Sequence, residues 1–137
     1  MTLEEFFREN ARLYSVGDVA ASARDVQIPL TARIGPSTFA AAAMDDVVAA
    51  LSIYRANLQV ESYVRTEIVE FHATDPVDGI AHAFVRYRNV NDAGAEIDSF
   101  DASFQCRARD DGGWIICSAE SLPAGQYDRF LRGIPLA

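Results

Sequence analysis

The sequence predicts an α+β fold, with helices packed on a mostly antiparallel sheet. Three observations carry this. Apolar residues recur with a helical period through the first half of the chain and with a period of two from residue 62 onward. The second half is divided by three turn sequences, Asp75-Pro76-Val77-Asp78-Gly79, Asn91-Asp92-Ala93-Gly94 and Asp110-Asp111-Gly112-Gly113. Helices come first and a strand meander last, without the alternation of an α/β protein.

The elements follow in order. Thr2 and Glu5 fit a capping box. Leu3, Phe7, Asn10 and Tyr14 then lie on one helical face, widened by Phe6 and Leu13. Val16-Gly17 stops this helix, and Asp18 caps a second short one carrying Val19, Ala20, Ala23 and Val26, which Pro29 ends. Residues 28–34 read as a strand with Pro29 near its start, where a missing donor is tolerated. Gly35-Pro36-Ser37 is a turn. Residues 38–43 suit a return strand or, being Ala-rich, the start of a helix. The strand is preferred, because Asp45 and Asp46 make the better N-terminus for the helix carrying Val47, Leu51, Tyr54 and Leu58. Strands are then expected near 62–73, 80–90, 95–109 and 114–121, and a short closing helix over Tyr127, Phe130 and Leu131.

Composition sets the bounds. With 137 residues, half of them hydrophobic and no linker or repeat, residues 1–137 read as one domain. The net charge of −8 argues against a nucleic-acid partner, which needs a cationic surface. All 12 basic residues are Arg, so Schiff-base lysine chemistry and a Walker-type loop are excluded. No stretch approaches the roughly 18 apolar residues of a membrane span. Met1-Thr2-Leu3-Glu4-Glu5 has no basic n-region, so a cytoplasmic location is expected. Cys106 and Cys117 are too few for a disulfide scaffold and have no further ligands at metal-site spacing; no metal and no cofactor are expected.

Turn symmetry predicts the sheet register. A symmetric 110–113 loop places Arg109 opposite Trp114 and Cys106 opposite Cys117. A symmetric 91–94 loop places Val90 opposite Ala95 and Tyr87 opposite Asp98. Opposed residues share a face. One face then carries Ala81, Ala83, Val85, Tyr87, Asp98, Phe100, Ala102, Phe104, Cys106, Ala108, Ile115, Cys117 and Ala119, and should meet the helices. The other carries His82, Phe84, Arg86, Arg88, Ile97, Asp101, Arg107, Arg109, Trp114 and Ile116.

Tyr14 to Asp18, Asp92-Ala93-Gly94 with Phe100 and Phe104 downstream, and Asp110 to Ile116 resemble, in order and spacing, the nuclear transport factor 2-like superfamily, most closely its SnoaL-like group. The resemblance covers about residues 2–121. It implies a strongly curved sheet wrapped around helices as a cone with a pocket, 1–137 forming a single such domain. It also implies frequent dimers through the sheet, and functions from isomerase and cyclase to binding without catalysis. Ile97-Asp98-Ser99-Phe100 resembles the segment carrying the second acid of ketosteroid isomerases of this fold. Their tyrosine falls on Asn10, and the region of their general base reads Thr31-Ala32-Arg33-Ile34, without a carboxylate. The epoxide-hydrolase Arg-x-Asp falls on Arg86-Tyr87-Arg88. Both activities are therefore disfavoured.

Asp98, the lone acid on the apolar face, is the leading catalytic candidate, with Tyr87 beside it. Buried, it would be pushed towards a neutral proton donor; at the sheet's rim it would simply be solvated. Asn10, Tyr14, Tyr54, Phe100 and Phe104 are the expected ligand-binding residues. Asn10 suits either a ligand carbonyl or a backbone tie. His72 beside Glu70 is an acid–base pair if Ala73 pairs with Ile80; a bulge turns both outward. The expected function is a small-molecule pocket for an apolar or moderately polar ligand, extending to a cofactor-independent lyase or isomerase. The alternative is a non-catalytic dimerisation or partner-docking domain. A homodimer through the outer face is expected from Phe84, Trp114, Ile97 and Ile116 together on it, with Asp101 opposite Phe84 and diagonal to Arg86.

Overall fold

The computed structural model describes residues 1–123 and 130–137. Helix α1 (Leu3–Ser15) begins at an N-cap where Thr2 accepts from the Glu5 amide and closes at Gly17, whose φ of +91° suits glycine. The Arg55 guanidinium caps the same C-terminal end, donating to the carbonyls of Tyr14 and Ser15. Asp18 caps the one-turn α2 (Val19–Ser22), which ends well before Pro29. Strands β1 (Leu30–Ile34) and β2 (Ser37–Ala41) form a hairpin, so residues 38–41 are strand as preferred. Asp46 reaches back to the amides of Ala42 and Ala43 to start α3 (Met44–Gln59).

The meander follows as β3 (Tyr63–Ala73), β4 (Ile80–Asn91), β5 (Glu96–Ala108) and β6 (Trp114–Pro123). The six strands form one sheet in the order β2-β1-β6-β5-β4-β3, antiparallel except where β1 runs parallel to β6. Long strands with four register shifts pack against α1 on one face; such bulges bend and twist strands into curvature. Of the closing segment, Tyr127 lies outside the described residues. Phe130 is buried against Tyr54, and Asn57 donates to the carbonyls of Phe130 and Arg132. The chain end pairs with Thr38 on the otherwise open edge of β2.

The bulges correct the expected register. The 92–94 loop closes through the Asn91 amide on the Ala95 carbonyl. Val90 pairs with Glu96 but Asn89 with Asp98, so Ile97 is the extra residue. Tyr87 therefore opposes Phe100 rather than Asp98, and Ile97 turns into the core beside Asp98. Arg86 directly opposes Asp101. On β6 the extra residue is Cys117: Cys106 pairs with Ile116 and Gln105 with Ser118. Cys106 and Cys117 are both free thiols but are not cross-strand partners. Trp114 and Ile116 thus face the core, packed with Leu3 and Phe6, and Ile115 gives up its expected inward place to Ile116. Ala108 is exposed at the sheet's end. Ala73 pairs with Ala83, which puts His72 and Glu70 on the outer face.

Three of the four apolar residues assigned to the outer face have accordingly changed places. Phe84, 50% exposed, stays outside, among Glu70, Arg86 and Asp101. Arg86 holds Asp101 at 2.9 Å, each raising or lowering the other's pKa towards the charged form through that hydrogen bond. Such an exposed pair adds little stability.

The inner face is filled from one end. Phe6 and Phe7 of α1 cover Ala81 and Ala83, both sealed from solvent. Phe7 meets Phe104 at 4.8 Å and Phe71 at 5.8 Å between ring centres. A second cluster joins β1, β2 and the start of α3; a third joins Tyr54, Leu58, Tyr63, Ile97 and Phe130.

Candidate functional site

The sheet's inner face ends in a polar network between α1, α3, β3, β4 and β5. Asp98 is buried, 5% exposed, so the solvated-rim alternative is excluded. Tyr54 donates from its hydroxyl to Asp98 Oδ2 at 3.1 Å. Asn89 Nδ2 donates to Asp98 Oδ1 at 2.7 Å and to the Tyr54 hydroxyl at 3.1 Å. Asn89 Oδ1 accepts from Thr66 Oγ1 at 2.6 Å. Since the Thr66 proton points that way, the Tyr63 hydroxyl is the donor in its 2.6 Å contact with Thr66. The Thr66 amide donates to Ser15 Oγ, which donates to the Ala11 carbonyl of α1.

From Tyr63 onward the side-chain donors lead towards Asp98. Tyr63 gives to Thr66, Thr66 to Asn89, and Asn89 and Tyr54 to the two carboxyl oxygens. Asp98 thus anchors Asn89 through one carboxyl oxygen and Tyr54 through the other.

Tyr87 stands apart from it. Its ring stacks on Phe100 at 5.2 Å, and Phe100 meets Tyr54 edge-on at 6.4 Å. Among the described residues its hydroxyl makes no hydrogen bond. Burial, and then Cys106, raises its pKa. Yet Tyr87 and Phe100 keep accessible surface. Tyr87 lies on the inner sheet face, directly opposite Phe100.

The other expected ligand-binding residues divide. Tyr54 and Phe100 lie at the network. Tyr14 packs on Tyr63 and donates to the Leu51 carbonyl, tying α1 to α3. Phe104 belongs to the aromatic packing around Phe7. Asn10 does not join Asp98: it lines a different hollow, with Phe6, Leu13 and Trp114. Sequence reasoning missed Asn89, Thr66 and Tyr63. Asn89 was detectable, because it continues the inward series 81, 83, 85, 87 by one step. No group of three or more His, Cys, Asp or Glu among the described residues is placed to hold a metal ion. No helix among them is long and apolar enough to cross a membrane.

Burial also raises the Tyr63 phenol and pushes the Cys106 thiol up to about 12, with Cys117 contributing second. These groups hold their protons more tightly folded than unfolded. Their contribution is complete below the unfolded pKa values and is lost as pH rises above them. The denaturation midpoint should therefore fall from about pH 9 upward. Native protein should resist a thiol reagent at Cys106, and both thiols should react in denaturant. A midpoint unchanged up to about pH 11, or two thiols reacting at once in native protein, would contradict this burial.

The chain matches the family described as NTF2-like protein (DUF6841) over residues 2–124. It belongs to this nuclear transport factor 2-like family. No curated protein matches it. Among solved structures it is similar to an NTF2-like protein with a cystatin-like fold from Novosphingobium aromaticivorans. That similarity has 15% identity and a TM-score of 0.67, and covers 93% of this chain and 85% of the other. It is also similar to ActVI-ORFA from Streptomyces coelicolor, at 17% identity and TM-score 0.66, covering 88% and 90%. A Catenulispora acidiphila protein in complex with S-DNPA matches at 14% identity and TM-score 0.60, covering 87% and 90%. At these identities the nuclear transport factor 2-like fold is what is shared.

Proposed function

We propose that this nuclear transport factor 2-like chain binds a small, apolar or moderately polar molecule in the recess between α1, α3 and the inner sheet face. The observation that carries the reading is the Tyr87 hydroxyl, half-buried on the inner sheet face beside Phe100 and without a hydrogen-bond partner among the described residues. A half-buried hydroxyl is free to bond a ligand oxygen as donor or acceptor. Phe100 and Tyr54 supply apolar walls, and the Asn89–Asp98–Tyr54 network holds those walls in place. A lyase or isomerase step needs an acid or base free to exchange a proton with the ligand. Asp98 is tied on both oxygens, so binding is better supported than turnover. The ligand reported for the Catenulispora protein is consistent with small-molecule binding in this fold.

The test is a thermal-shift and calorimetry series with uncharged carbonyl compounds on wild type and Tyr87→Phe. Loss of one hydrogen bond should weaken binding by about tenfold, with the melting temperature of the free protein little changed. Equal affinity in the two proteins would remove Tyr87 from the site.

Self-association through the outer face belongs to the same proposal. Its support is an uncovered face bearing Phe84, but with Trp114, Ile97 and Ile116 turned inward its apolar area is reduced. Light scattering should give twice the 15.0 kDa chain mass. A mass of one chain at micromolar concentration would leave the outer face as plain surface.

A further inference from the structure

A second hollow lies on the far side of α1 from the Asp98 network. It has a volume of about 650 Å³ and is larger than the open hollow of about 380 Å³ on the outer sheet face. Three segments build it. The α1 residues Phe6, Asn10 and Leu13 form one wall, Arg24 and Asp25 another, and the β5–β6 turn with Trp114 the third. The backbone of residues 25–27 is hydrogen-bonded to Ile116 on β6, which fixes the second wall to the third.

We propose that this groove is a binding site for a flat, uncharged molecule bearing a carboxamide. Asn10 is half-buried, and its carboxamide makes no hydrogen bond to any described residue. A primary amide offers a donor and an acceptor side by side. Its natural complement is a second amide, which satisfies both at once. Trp114 donates its indole N–H to the Met1 carbonyl, which leaves the ring as an apolar stacking surface.

The charged side chains of the rim are paired with one another. Arg109 is paired with Asp25 at 3.2 Å and with Asp111 at 3.5 Å, Arg24 with Asp25 at 3.2 Å, and Glu9 with Arg12 at 2.7 Å. Opposite charges are thus matched within the rim, which favours an uncharged ligand over a charged one. From Phe6 to Leu13 the helix rises about 10 Å, enough for one or two fused rings.

Trp114 is the single tryptophan of the chain, so all tryptophan emission comes from a residue that lines this groove. Benzamide should change that emission saturably, whereas toluene, lacking the amide, and benzoate, carrying a charge, should require at least about tenfold more. Asn10→Leu should reduce the benzamide response to the toluene level, again about tenfold. Asn10→Ala covers the case in which leucine itself fills the groove. The response of Tyr87→Phe should equal that of wild type, separating this groove from the recess at Tyr87. The proposal is overturned if benzamide gives no saturable change up to its solubility. It is equally overturned if both Asn10 variants, with helical circular dichroism intact, respond as wild type does.

Discussion

Replacing Asp98 with Ala is expected to destabilise the protein by about 2–6 kcal/mol, because two buried donors lose their acceptor at about 1–3 kcal/mol each. Asn89 is 1% exposed and Tyr54 8%, so neither can turn to water when its acceptor is gone. The Asn89 amide and the Tyr54 hydroxyl would each lose the acceptor that Asp98 supplies. Asp98→Asn keeps the shape but offers one oxygen to two donors and turns an NH2 towards one of them. It should cost less, about 1–3 kcal/mol. Because Asn89 donates directly to Asp98, a double-mutant cycle between the two positions should show coupling of about 0.5–3 kcal/mol. Urea denaturation measures all of these. A loss below about 1 kcal/mol for Asp98→Ala would mean that the network is not buried as described.

Phe7→Ala should be as severe, about 3–5 kcal/mol, the usual cost of removing a buried aromatic ring. Phe7 is 1% exposed and lies among Phe6, Phe71 and Phe104. No neighbouring side chain can collapse far into the space, because Ala81 and Ala83 opposite it are already small and sealed. The same ring holds α1 on the sheet, so the loss should appear as increased amide exchange along α1 before global unfolding. Phe84→Ala is the control. Half-exposed on the outer face, it should change stability by no more than about 0.5 kcal/mol. Similar losses for the two substitutions would contradict the assignment of inner and outer faces.

Most of the architecture was legible because it is written locally. The Thr2 and Asp18 caps, the Gly17 stop and the three meander turns each act within a few residues, and each stands where the sequence put it. The change of hydrophobic period separated the helical half from the sheet half for the same reason. Register was not local. One extra residue at Ile97 and another at Cys117 each change which side chains meet across the ladder. What decides these bulges is the burial gained by Ile97 beside Tyr54 and by Ile116 beside Phe6, which no turn sequence encodes. Asp98 was found because an acid in an apolar series is conspicuous. Its partner across the ladder was assigned as Tyr87 rather than Asn89, two residues away and on the same face. Asn10 was assigned to the Asp98 pocket because it shares a helical stripe with Tyr14. The stripe is wide enough for its two edges to serve different hollows.

The central claim, that the recess at Tyr87 takes a small molecule, is tested most directly by native mass spectrometry of the chain purified without denaturant. The account predicts a mass above that of the 15.0 kDa chain, or of its dimer, by one small molecule per chain. That excess should be lost or sharply reduced in Tyr87→Phe while the charge-state distribution of a folded protein is retained. A bare chain that acquires no ligand from a library of uncharged carbonyl compounds would contradict it, as would a bound molecule kept equally by wild type and Tyr87→Phe.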